Sequence, residues 1–331
     1  MVDVLDGDQG EGGRGLGARS RRTHRDLGPA AGLGPGPGRG IRPAMASRRI
    51  PFSVALRHPV LGVTTRSGWL IEGSAGWAAW SPLPSWSREE GEAAHRGALE
   101  PAGTAFPPVI QASVEINTMI PRVPPDVAAR MAVAAGCRTV KVKVGDPGGE
   151  ARVRAVREAV GPAVHIRVDA NGSWDLEEAI RSLEILARYD IELVEDPVAT
   201  LEELARLRRR CSIPVAAETS IRTIEDVIEM RRLGAADVLV IKPQRIGGIG
   251  AALRAAELAG IPLVVSSALE TSVGLAACLA VAAALPASPY AHGIGTASLL
   301  AEDVTAQPLL PVQGRLVPRR VLPDLLLGSR S

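Results

Sequence analysis

Seven short apolar runs, each followed by a stretch with helical spacing, constrain this 331-residue chain more than any other feature. The runs are VEINTMI (114–120), TVKVKV (139–144), HIRVDA (165–170), IELVED (191–196), IPVAAE (213–218), DVLVIK (237–242) and IPLVVSS (261–267). Between them lie segments such as LEEAIRSLEILARY (176–189) and LEELARLRRR (201–210), whose apolar residues recur every three or four positions. Strands apolar on both faces are buried on both faces, as in a parallel sheet covered by helices. The βα units repeat about every 25 residues, and no G-x-G-x-x-G follows the first run. This pattern predicts an α/β fold with a (β/α) barrel over residues 111–300 rather than an open doubly wound sheet.

Upstream the rhythm differs. FSVALRHPV (52–60) and GVTTRSGWLIEG (62–73) alternate apolar with polar residues and predict an antiparallel meander. Trp69, Trp77, Trp80 and Trp86 cluster there, and residues 88–108 hold room for a short helix, so 45–110 reads as a separate N-terminal cap. Residues 1–44 are Gly- and Arg-rich, with GLGPGPGRG at 32–40, and are expected to form a disordered tail. Its basic cluster RSRRTHR (19–25) is interspersed with Asp3, Asp6, Asp8, Glu11 and Asp26, which argues against a nucleic-acid arm. Met45, directly before strand-like sequence, is a candidate start of translation.

Composition narrows the partners. A formal charge of +2 supplies no field for nucleic acid or an anionic membrane, and the 46% apolar content is ample for a core. The longest apolar run, VGLAACLAVAAAL (273–285), is too short to span a bilayer and predicts a buried helix. Cys137, Cys211 and Cys278 lie far apart without metal-ligand spacing, which fits a reduced, cytoplasmic protein.

Several runs end on a residue able to do chemistry: Asp169, Glu195, Glu218 and Lys242, at successive steps of 26, 23 and 24 residues. Steps of one βα unit place such side chains next to each other at the C-terminal mouth of a barrel, where barrel active sites lie. One acidic residue at a strand end could simply cap the next helix, as Asp175 and Thr200 are expected to do. Three in succession predict a metal site, and an oxygen-only donor set suits Mg²⁺, or Mn²⁺, rather than zinc.

The chain uses lysine only at 141, 143 and 242, against 38 Lys and Arg together. Lys141 and Lys143 share a strand face and point into the barrel. Lys242 stands across the carboxylates from Lys143, so the two ammonium groups should flank a metal from opposite sides. Lysine can lose a proton where arginine effectively cannot. To act as a base near pH 7 it must drop roughly 3 pK units, about 4 kcal/mol, and a second ammonium, a divalent cation and burial all push that way. Carboxylates, metal and lysines together predict abstraction of a proton α to a carboxylate. RIGGIG (245–250) reads as the turn after the Lys242 strand, not as a phosphate cradle.

With these motifs in view, K-x-K (141–143), RVDANGSWD (167–175), ELVEDP (192–197), VAAETSIR (215–222), VLVIKPQRIGG (238–248) and VVSSALETSVGLAA (264–277), the chain from about residue 50 to 310 resembles the enolase superfamily in its muconate-lactonizing-type branch. VSSALETSVGLAA and ALPASPYAHGIGT (284–296), with a short cap, resemble that branch's compact dehydratases of menaquinone biosynthesis. The resemblance implies a modified TIM-type (β/α)7β barrel with an α+β capping domain, built from the N-terminal region and a C-terminal segment, residues 301–331, returning to it. It implies Asp169, Glu195 and Glu218 as Mg²⁺ ligands, Lys143 as acid/base in a syn loss of water, Lys242 as a charged stabiliser of the enediolate and Lys141 as an electrostatic assistant. Arg167 and Asn171 would orient a small dicarboxylate substrate, and Ser266 and Ser267 would meet its far carboxylate. The mandelate-racemase branch is disfavoured because Ser266-Ser267 stands where a histidine base would be.

The chain departs from the family in three places. Glu218-Thr219-Ser220 replaces Asp-Glu-Ser, and Ala78-Ala79 replaces Gly-Glu in the cap, removing a carboxylate. Asp196 follows Glu195 where Gln is frequent; alternation turns it outward, with little effect expected. The same site could also run two-base racemisation of N-succinylamino acids or dipeptides through Lys143 and Lys242, or a cycloisomerase reaction. A non-catalytic binding barrel is the reading from another class, opposed by the complete set of carboxylates and lysines.

Overall fold

A computed structural model describes residues 48–324. The tail at 1–44, Met45 and the end of the C-terminal segment lie outside the described residues. The cap begins with strands β1 (Arg48–Val60), β2 (Val63–Gly73) and β3 (Gly76–Trp80), an antiparallel meander. Leu61 and Gly62 turn β1 into β2 with φ of 50° and 79°, the positive pair that a tight two-residue hairpin demands. Helix α1 (Arg88–Gly103) starts at a capping box, in which Ser87 Oγ accepts from Glu90 N and Glu90 accepts from Ser87 N. Its Ala98 and Ala102 pack on Ile71 and Ala78 of the sheet.

After the short strand β4 (Val114–Glu115), the barrel runs β5 (Thr118–Ile120), α2 (Pro125–Ala135), β6 (Thr139–Lys143), α3 (Gly149–Val160), β7 (His165–Asp169), α4 (Leu176–Leu186), β8 (Ile191–Glu195), α5 (Leu201–Arg208), β9 (Val215–Ala217), α6 (Ile224–Leu233) and β10 (Val238–Ile241). It continues with α7 (Pro243–Ile246), α8 (Ile249–Ala259), β11 (Leu263–Val265) and α9 (Ser272–Ala284). Strands β5 to β11 pair in parallel in chain order. The sheet closes through His292 and Gly293: Gly293 N donates to Val265 O at 2.7 Å, and Asn117 N to His292 O at 2.9 Å. These two residues act as the eighth strand, completing the (β/α)7β order. Asp175 and Thr200 cap α4 and α5 as expected, accepting from Glu178 N and Glu203 N.

Leu193, Ala216, Val238, Val240 and Val264 fill the barrel's interior below the mouth, while the outward strand residues pack under the helices. The Ala-rich run forms α9, buried along nearly its whole length. No helix among the described residues is long and apolar enough to cross a membrane. The C-terminal segment pairs β12 (Arg315–Leu316) with β4. Farther on, Arg320 donates to Pro101 O and Thr104 O, at 2.9 and 2.8 Å, and its guanidinium stacks 4.0 Å over Phe106.

The Gly-rich turn after β10 is a contact between cap and barrel. A Cβ on Gly97 of α1 would come within 2.7 Å of Gly248 N, and Gly247 and Gly248 hold φ of 108° and 120°. Only glycine permits both the left-handed backbone and this approach. That seats the start of α1 over α7, close to the barrel mouth.

Candidate active site

Register builds the site. Lys143, Asp169 and Glu195 are Cα partners on β6, β7 and β8, so strand pairing alone sets them in one row. Glu195 pairs with Ala216, and the period-2 rule brings Glu218 onto the same inward face two residues later. Asp169, Glu195 and Glu218 are all at most 4% exposed. Carboxylates so deeply buried require cationic partners. Lys141 Nζ donates to Asp169 Oδ2 at 2.9 Å and to Glu195 Oε1 at 2.8 Å, and Lys143 Nζ donates to Asp169 Oδ2 at 2.6 Å and Asn171 Oδ1 at 2.8 Å. On the far side Lys242 pairs with one oxygen of Glu218, and Arg245 Nη1 donates to the other at 3.1 Å.

These neighbours divide the protonation equilibria. Burial works against the Lys141 ammonium, but Asp169 and Glu195 overcome it and hold its pKa above the ordinary lysine value. For Lys143 burial prevails, helped by the Lys141 charge and opposed by Asp169, and its pKa falls. Asp169 and Glu218 are kept acidic despite burial, by Lys141 and Lys143 and by Lys242 and Arg245 respectively. Burial raises Glu195, with Asp169 and Glu218 adding to the effect.

Lys141, Lys143, Asp169, Asn171, Glu218, Lys242, Ser266 and Ser267 line one cleft at the mouth. Val60, Leu61 and Leu83 reach it from the cap, and Leu269 faces it from the barrel. Ser267 Oγ contacts Thr296 Oγ1 at 2.7 Å and donates to Gly293 O at 3.2 Å, so it is braced against the closing segment. Arg167 is the exception and requires a correction: its side chain turns to the barrel floor, away from the cleft. It pairs there with Glu192, donates to Ala291 O at 2.6 Å and lies 5.5 Å over the Tyr290 ring. A register shift between β7 and β8 at this level brings Glu192 to it.

Asp196 also departs from expectation. Just past the end of β8, with φ of 43°, it no longer follows the strand's alternation; it is 1% exposed and has a clear role. It accepts from Glu218 N and Thr219 N, both at 2.8 Å, and from Thr219 Oγ1 at 2.6 Å, bracing the backbone that presents Glu218. Burial, with Glu218, Glu195 and Asp169 nearby, pushes its pKa to about 7. Carboxylate oxygens of Glu195, Asp196 and Glu218 lie within 4.8 Å of one another. Asp169 is drawn instead to its two lysines. Oxygen-only, buried and acidic, with no histidine or cysteine among them, these groups fit a hard divalent cation such as Mg²⁺. Sequence reasoning passed over Arg245, although it follows Lys242 by one helical turn, and Glu90, whose contact with the site depends on cap docking.

A closed parallel barrel with a carboxylate row and a lysine on each side of one cleft defines a class, the capped barrel enzymes. Comparison with known proteins places the chain within it. Residues 126–322 match the family of enolase C-terminal domain-like sequences, and residues 51–102 match the enolase N-terminal domain-like family. The chain is 47% identical over 275 residues to o-succinylbenzoate synthase of Thermobifida fusca (strain YX), covering 82% of this chain and 87% of that one. To o-succinylbenzoate synthase of Mycobacterium marinum it is 42% identical over 295 residues, 87% and 89% of the two chains. Among solved structures, the L-Ala-D/L-Glu epimerase from Bacillus subtilis shares the fold with a TM-score of 0.73 at 23% identity, over 83% of this chain and 96% of that one. The muconate lactonizing enzyme from Pseudomonas fluorescens does so at 0.71 and 20%, over 83% and 94%. The chain belongs to the enolase superfamily and, within it, to the o-succinylbenzoate synthase family. It is an enzyme, a carbon–oxygen lyase.

Proposed function

We propose that the protein is a cytoplasmic, Mg²⁺-dependent dehydratase of menaquinone biosynthesis, converting 2-succinyl-6-hydroxy-2,4-cyclohexadiene-1-carboxylate to o-succinylbenzoate. The observation that carries this reading is the inequality of the two β6 lysines. Lys141 is pinned as an ammonium between Asp169 and Glu195, whereas Lys143, beside it, is the lysine whose pKa burial lowers. A general base in this cleft needs that downward shift.

Lys143 takes the proton α to the substrate's ring carboxylate. The electron pair left behind moves into that carboxylate as an enediolate, opposite the Lys242 ammonium, which stabilises the developing charge. Re-forming the carboxylate expels the ring hydroxyl, and Lys143 returns its proton to that oxygen on the same face, so water leaves and the ring becomes aromatic. Asp169, Glu195 and Glu218 would hold Mg²⁺, which when bound supplies Lewis-acid polarisation of the carboxylate. Asn171 Oδ1 orients the Lys143 amine, and Ser266 and Ser267, on the opposite wall of the cleft, receive the succinyl carboxylate. The three cysteines are free, in keeping with a reducing compartment.

The test is loss of the cyclohexadiene absorbance with purified protein, in Mg²⁺ and then in EDTA. Rapid EDTA-sensitive loss is expected; no loss in a folded protein that binds Mg²⁺ would refute the reading. Because Lys242 lines the cleft across from Lys143, a two-base 1,1-proton transfer on N-succinylamino acids is the second reading. Solvent deuterium exchange at their α-carbon would detect it.

A further inference from the structure

Glu90 lies in the first turn of α1, in the cap, and Glu218 at the mouth of the barrel, yet one guanidinium joins them. Arg245, in α7, donates from Nε to Glu90 Oε1 at 2.6 Å and from Nη1 to Glu218 Oε1 at 3.1 Å. The other oxygen of Glu218 takes Lys242, and the other oxygen of Glu90 accepts from Ser87 N at 2.7 Å. Glu90, Arg245 and Glu218 are each at most 8% exposed. A continuous buried path therefore runs from the capping box of a cap helix to a carboxylate of the active site.

The capping box does not account for the charge on Glu90. An amide serves that motif as well as a carboxylate does, since the helix requires only an acceptor for the Ser87 amide. Two arginines use the charge: Arg222, an exposed side chain whose Nε lies 3.9 Å from Glu90 Oε1, and the buried Arg245, which is placed between two carboxylates. With Glu90 balancing it, Glu218 keeps negative charge to spare for another cation. Without Glu90, the whole Arg245 charge would fall on Glu218 in a water-poor setting and compete there with any metal ion.

We infer that Glu90 is a positioning residue of the metal site: through Arg245 it fixes the Glu218 carboxylate and keeps it available to a divalent cation. Metal affinity then depends on the cap being seated. The inference rests on the reading of Glu218 as a metal ligand. Arg245 would be one contact removed from a metal on Glu218, and replacing such groups typically changes affinity roughly ten- to a hundredfold, because they orient the ligand; Glu90 stands one contact farther out and acts through it.

The experiment is Mg²⁺ titration by calorimetry, with Mn²⁺ followed by electron paramagnetic resonance, on full-length wild type, Glu90→Gln, Arg245→Met and the double variant, without substrate. Glu90→Gln retains an acceptor for Ser87 and is expected to leave the melting temperature unchanged while weakening Mg²⁺ and Mn²⁺ binding by about tenfold, the lower end of that range. In the Arg245→Met background the same change should have no further effect, since the path to Glu218 is already cut. Wild-type affinity in Glu90→Gln, or an equal loss in both backgrounds, overturns the inference. Should Glu90→Gln fail to fold, Arg245→Lys, which cannot bridge two carboxylates with a planar fork, must show the weakening; unchanged affinity there overturns it too. A wild type that binds neither ion would overturn the metal reading and this inference with it.

Discussion

Lys141 and Lys143 stand two residues apart on one strand and donate to the same oxygen of Asp169, yet their pKa values move in opposite directions. The difference comes from the second contact of each. Lys141 has the Glu195 carboxylate as well, whereas the second partner of Lys143 is the neutral Asn171.

Lys143 should therefore become more basic when Lys141 loses its charge. In Lys141→Met the ammonium that depresses Lys143 is gone, and Asp169 is left to it alone. The acidic, ascending limb of kcat/KM, which reports deprotonation of Lys143, is expected to move to higher pH, and activity at pH 7 to fall at least about tenfold. A pH–rate profile unchanged in position would show that the two amines are not coupled.

Substitutions at the two sides of the cleft should separate charge from proton transfer. Lys143→Arg keeps the charge but cannot act as a base, and a loss of roughly 10² to 10⁴ in kcat is expected. Lys242→Arg should retain part of the dehydration, for which only charge is required, and abolish exchange by a two-base route. Comparing dehydration rate with α-proton exchange in this variant decides between the two chemistries.

His292 should make the barrel's closure acid-labile. Burial, with Arg167 nearby, lowers its pKa from 6.5 to about 4, and its Nδ1 accepts from Val265 N at 2.9 Å, which requires the neutral ring. A folded-state pKa below the unfolded value favours the fold above pH 6.5 and loses that contribution as pH falls toward 4. The gap corresponds to roughly 3 kcal/mol. His292→Asn keeps an acceptor without titrating, so the slope of stability between pH 6.5 and 4 should flatten in denaturant titrations of the variant.

Asp303 should matter to α9 more than that helix's own first residues do. Thr271, at its N-cap, makes no side-chain bond, and Asp303 instead accepts from Ser272 N at 3.2 Å and Ser272 Oγ at 2.7 Å. Asp303→Ala is expected to cost about 1–2 kcal/mol, the usual worth of an N-cap. A thermal melt superimposable on wild type would contradict this.

The barrel was legible because each strand is apolar on both faces and repeats at the length of one βα unit, a signal that survives without any contact information. Period-2 alternation also named the inward faces correctly, yet a face is not a depth. Arg167 and Asp169 share a face, but one reaches the floor and the other the mouth, and only the register shift beside Glu192 reveals which. Asp196 shows a second limit: with φ of 43° past the end of β8 it escapes the alternation, and its carboxylate is buried beside those of Glu195 and Glu218. The closing strand went unread because two residues carry no periodicity. Glu90 and Arg245 went unread because they are 155 residues apart and meet only where cap and barrel dock.

Since lysine occurs only at 141, 143 and 242, all lining the mouth, the chain's side-chain amines amount to an inventory of its active site. A lysine-specific protease has three possible cleavage points, each in or directly after a barrel strand whose backbone it cannot engage while the barrel stays folded. Digestion with such a protease would thus clock the opening of the barrel itself, with no surface lysine to blur the reading.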